Sequence, residues 1–76
     1  MTIAGQLVTL NRQQVVESLR KVAPQQVQTH AVEIEGRHFP VKQAFADVTG
    51  LDPLDFNTEQ ARRAFKKLGF QVFRFP

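Results

Sequence analysis

At 76 residues with 42% apolar content, the chain suits one small globular domain and lies outside the compositions that stay disordered. It has no cysteine, which excludes disulfides, thiol catalysis and Cys-ligated zinc and fits a cytoplasmic protein. Its formal charge of +3 is polarised: every Asp and Glu lies at or before Glu59, while Arg62, Arg63, Lys66, Lys67 and Arg74 all follow it.

The first residues, Met1 to Gly5, carry no basic region and no long apolar run, so no signal peptide is expected. No stretch approaches the roughly 20 apolar residues that a membrane span needs, and no membrane partner is expected. Residues 1–9 are poorly defined: Ile3, Leu7 and Val8 suit a short strand or a packed arm. Asn11 followed by Gln14 predicts the N-terminus of a first helix. Val15, Val16, Leu19 and Val22 line one side of it, Arg20 and Lys21 fall in its last turn, and Pro24 stops it. Val32 and Ile34 then alternate with Glu33 and Glu35, the period of a half-buried strand. Gly36 supplies a turn into a second strand, Arg37-His38-Phe39, and Pro40 starts the next helix.

The second helix is expected over 41–49, with Val41, Ala44, Phe45 and Val48 at i, i+3, i+4 and i+7. Gly50 ends it. Asp52-Pro53 marks a turn in the loop that follows, from which Leu54 and Phe56 are expected to tuck into the core. Asn57, with Gln60 three residues on, caps a third helix whose buried stripe is Ala61, Ala64, Phe65 and Leu68. Gly69 closes it, and 70–75 read as a final strand. The order α-β-β-α-α-β predicts an α+β domain: a small antiparallel sheet with helices packed on one face.

Little in the chain points to catalysis. His30 and His38 fall on the two arms of the predicted hairpin, near one another or near Glu33 or Glu35, but no third metal ligand is marked. Ser18 and Thr58 sit in no nucleophile motif, and there is no Gly-rich phosphate loop. The expectation is a protein that is not an enzyme, with no catalytic residue, cofactor or metal.

The basic third helix carries the stronger signal. Arg62, Arg63, Lys66 and Lys67 on one rigid face suit phosphate contacts on duplex DNA, with Arg37, Lys42 and Arg74 as extensions. The alternative is an ordinary solvated face, since Arg and Lys are good helix formers. The eight-residue connection from Gly50 to Asn57 is too long for a tight helix-turn-helix. Phe39, Phe45, Phe56, Phe65 and Phe70 read as core. Phe73 and Phe75 alternate with Arg74 on the last strand and suit either base stacking or contact with a protein partner, including a second copy.

The run Gly36-Arg37-His38-Phe39-Pro40-Val41-Lys42, then Phe56, then Leu68-Gly69-Phe70, resembles a small module at the N-terminus of some McrA-type HNH restriction endonucleases. The resemblance covers about residues 30 to 73. It implies a DNA-recognition module, in some members reading modified DNA. No HNH nuclease segment is present, so cleavage is not implied, and no aromatic cage for a modified base is evident. The leading expectation is a non-catalytic module binding duplex nucleic acid; the alternative is a protein-interaction module using Phe73 and Phe75.

Overall fold

A computed structural model describes residues 2–3, 5–27 and 29–75. The elements, in chain order, are β1 (Thr2–Ile3), β2 (Gln6–Leu7), α1 (Arg12–Leu19), β3 (His30–Ile34), β4 (Arg37–Pro40), α2 (Val41–Thr49), a 3-10 turn (Pro53–Asp55), α3 (Thr58–Lys67) and β5 (Gln71–Arg74). This is the α+β domain that the pattern predicts. The poorly defined start resolves into the β1–β2 hairpin, which sends Ile3 fully into the core while Leu7 stays exposed.

The β3–β4 hairpin turns through Glu35 and Gly36, both at positive φ, 50° and 79°. Two consecutive positive φ values make a type I′ turn, whose twist matches that of the flanking strands. It pins the register, pairing Ile34 with Arg37, Val32 with Phe39 and Glu33 with His38. β5 pairs antiparallel with the other side of β3, so the order is β4-β3-β5 with β3 central. Paired residues share a face and alternate residues change face. Val32, Ile34, Phe39 and Val72 therefore face the helices, and the first three are fully buried. Glu33, His38, Gln71 and Phe73 occupy the helix-free face.

Between sheet and helices lies a core of Val15, Leu19, Val41, Phe45, Phe56 and Phe65 with their neighbours. Phe45 is its centre, meeting Phe56 and Phe65 edge-on at 4.8 and 6.0 Å between centroids. Such pairs add roughly 0.5–1.5 kcal/mol to area burial. No helix among the described residues is long and apolar enough to cross a membrane.

Three expectations are corrected. α1 ends at Leu19, leaving Arg20 and Lys21 beyond it and Pro24 well outside it. The chain tightens there, with the Arg20 amide on Glu17 O and the Val22 amide on Leu19 O, and the Arg37 guanidinium serves the carbonyls at that end. Leu54 points to solvent, 92% exposed, because Asp52 Oδ1 accepts from the Leu54 amide and shapes a turn that rotates the side chain outward. The last strand is Gln71–Arg74, shorter than 70–75, although its ladder continues: the Phe75 amide donates to Thr29 O at 2.6 Å.

Candidate functional site

α3 begins with a reciprocal cap. Asn57 Oδ1 accepts from the Gln60 amide at 2.8 Å, and Gln60 Oε1 accepts from the Asn57 amide at 2.9 Å. The cap fixes the helix phase and turns Ala61, Ala64 and Phe65 inward. Arg63, Lys66 and Lys67 are left on the exposed side at i, i+3 and i+4, neighbours on a helix surface. Lys66 and Lys67 also lie in the last turn, where cations complement the negative end of the macrodipole.

Arg62 and Arg63 share one acid. Arg62 Nη1 lies 3.3 Å from Glu59 Oε2, and Arg63 Nε lies 3.6 Å from Glu59 Oε1. Arg63 remains 72% exposed; Arg62 is only 22% exposed, and its Nε is buried without a hydrogen-bond partner. Glu59 thus offsets part of the charge that the acid-free stretch suggests. Among the described residues no ion pair involves Lys66, Lys67 or Arg74. Arg74 is exposed on β5, paired with His30.

The other two predicted cations lie elsewhere. Arg37 is committed to the fold: its guanidinium donates to Val22 O at 2.9 Å, to Arg20 O at 3.1 Å and to Leu19 O. It therefore closes the carbonyl end of α1, with its charge 5.0 Å from the Phe39 ring centre. Lys42 sits at the start of α2, with Nζ 5.4 Å from the Phe56 ring centre, in a shallow groove with His30 and Thr58. Thr58 opens α3 while Lys66 and Lys67 end it, a rise of about 13 Å. The structure gathers Arg63, Lys66 and Lys67 and leaves Arg37 and Lys42 apart from them.

One internal role escapes sequence reasoning. Arg12 Nη1 donates to Leu68 O at 2.7 Å and lies over the Phe70 ring at 4.3 Å, closing the carbonyl end of α3. Nothing local marks a contact across 56 positions; the only hint is Gly69, which announces a helix end in need of donors.

The two histidines are on opposite faces of the sheet, since His38 pairs with Glu33 and His30 lies one step out of phase with it. His38 Nε2 is 3.6 Å from Glu33 Oε1. The pair of histidines cannot close on one metal ion, and no group of three His, Asp or Glu side chains with metal-holding geometry forms among the described residues. His38 instead meets Phe73 edge-on at 5.3 Å and Phe75 at 6.4 Å, and the two Phe rings stack at 6.3 Å. This cluster occupies the helix-free face, with Phe75 39% exposed.

A family model described as SCO5918-like matches residues 1–76, and the chain belongs to that family. Neither the curated proteins nor the solved structures contain a match.

Proposed function

We propose that this member of the SCO5918-like family is a non-catalytic, cytoplasmic module that binds duplex nucleic acid through the exposed side of α3. One observation carries the reading: Arg63, Lys66 and Lys67 form a compact cationic triad on a helix whose opposite side is locked into the core. Because the helix backbone that carries them is already fixed, the three side chains can neutralise phosphates without a segment of chain first being ordered, and each phosphate neutralised releases condensed counterions. Such contacts fix position on the duplex and carry no base information, so the module reads duplex shape and charge rather than sequence. Arg74 adds an exposed cation at the sheet edge, and Arg62 supports the face from a half-buried position. The likeness of 36–42 and 68–70 to the McrA-type module points the same way, although Gly36, Arg37, Phe39 and Phe70 serve here as turn, helix cap and core.

Fluorescence anisotropy of a labelled duplex at several salt concentrations tests this. Three phosphate contacts give a slope of about −3 in log K against log salt. Replacing Arg63, Lys66 and Lys67 together by Gln should remove most of that slope and weaken binding alike for unrelated duplexes, with the circular dichroism spectrum unchanged. Wild-type affinity in the folded triple variant rules out this face.

A further inference from the structure

We propose that β5 pairs with β5 of a second copy of this chain, across a two-fold axis at Phe73, to make a continuous six-stranded sheet. The argument starts from where the backbone groups of β5 point. The Phe75 amide donates to Thr29 O on the β3 side. Hydrogen-bonding direction alternates along a strand, so Gln71, Phe73 and Phe75 turn their amides and carbonyls toward β3. Val72 and Arg74 turn theirs outward, to an edge that no strand covers among the described residues.

The two edges of the sheet are not equivalent. On β4 the same alternation leaves His38 and Pro40 outward, and Pro40 has no N–H, so that edge lacks a donor where pairing would continue. β4 also runs straight into α2 at Val41. Between 71 and 75 there is no proline and no lysine, the residues that usually guard an edge.

The outward groups of β5 complement themselves. In an antiparallel pair centred on Phe73, Val72 exchanges both of its bonds with Arg74 of the second copy, and Arg74 does the same with the copy's Val72. All four donors and acceptors per strand are then used. Phe73 meets its own copy as the intervening pair without hydrogen bonds, and Gln71 stands opposite Phe75. Charge permits this register, because Arg74 faces a valine and not another cation. Faces are preserved, so the Phe73, Phe75 and His38 cluster of each copy joins one apolar strip on the helix-free side. Phe75, exposed in the single chain, gains a neighbour there. Both α3 helices lie together on the other side of the joined sheet. The dimer does not rest on nucleic-acid binding; it stands or falls on association measured without any duplex.

Sedimentation equilibrium of the unaltered chain at about 1 mM, a concentration at which even a ~4 kcal/mol association is half formed, should give a mass clearly above the 8.7 kDa of one chain, about one and a half times it at that affinity and approaching twice it for a tighter pair. A single-chain mass there overturns the proposal. The register is tested by cross-linking, which is clean because the chain has no cysteine of its own. A pair without hydrogen bonds holds its Cα atoms about 4.5 Å apart, inside the disulfide range of roughly 4.4–6.8 Å. Phe73→Cys should therefore oxidise quantitatively to a cross-linked dimer. Gln71→Cys should not, since the two copies of position 71 lie about 14 Å apart along the strands. Equal cross-linking of the two variants, or a dimer that survives Arg74→Pro, overturns the pairing. In the backbone, Arg74→Pro removes only an outward N–H at an exposed position and leaves the bonds to β3 in place; Arg74→Gln, which loses the charge but keeps that N–H, should leave the dimer intact.

Discussion

Arg37 shows how one side chain from a distant strand can serve the open end of a helix. The last carbonyls of a helix have no intrahelical donors, and a planar guanidinium supplies several at once in fixed geometry. Here it serves the carbonyls of Leu19, Arg20 and Val22 while its body packs by Phe39. A lysine keeps the charge but cannot fork across three acceptors. Arg37→Lys should cost about 1.5–3 kcal/mol, the range for bonds to a charged group, measured as a lower urea midpoint. A midpoint within error of wild type would leave the helix end explained by the chain itself. Arg12 performs the same service for α3. Neither role is written in the neighbouring residues: both arginines look like ordinary surface cations until the fold brings a helix end to them.

At the scale of elements, legibility follows locality. α3 is readable because its start and its buried side are both encoded within twelve residues, from the Asn57 cap to the Phe65–Leu68 turn. Asn57→Ala removes the Oδ1 that accepts from the Gln60 amide, leaves the residue 57 amide that donates to Gln60 Oε1, and should destabilise by about 1 kcal/mol, up to 2, in chemical denaturation. A loss below a few tenths would mean that tertiary packing alone holds the first turn. α2 and the β3–β4 hairpin were readable for the same reason, from an apolar stripe and a glycine turn. The end of α1 is less legible, because the side chain that serves its carbonyls arrives from 15 to 18 residues away. The outward Leu54 was missed because a hydrophobic residue in a loop reads as core, whereas the Asp52 turn sets its direction. The cationic side of α3 is legible as a pattern, but Glu59, which holds Arg62 and Arg63, lies just before the acid-free stretch and so outside that pattern. Arg37 and Lys42 were grouped with that side by charge alone, and only packing separates them from it.

At the scale of the whole molecule, the Cα radius of gyration of 11.3 Å matches the ~11 Å expected for a chain this long, so little volume is spare. A domain of this size has about 4–11 kcal/mol of net stability at 0.05–0.15 kcal/mol per residue. Phe65 joins α3 to α2 through Phe45 and packs on Phe70, the residue that leads into β5. Phe65→Ala should cost about 3–5 kcal/mol, most of that total, and abolish or sharply lower the thermal transition. A shift of only a few degrees would mean that α2, α3 and β5 are not held in common through this ring. The sheet order has a temporal consequence. β3 needs β5 as its second neighbour, Ile3 lies in the same core as Phe70, and the end of α3 is closed by Arg12. A chain emerging from the ribosome in order therefore holds α1, β3, β4 and α2 ready but unclosed until β5 appears. Its aromatic core stays open to solvent for most of synthesis, and the whole domain must condense in one late step.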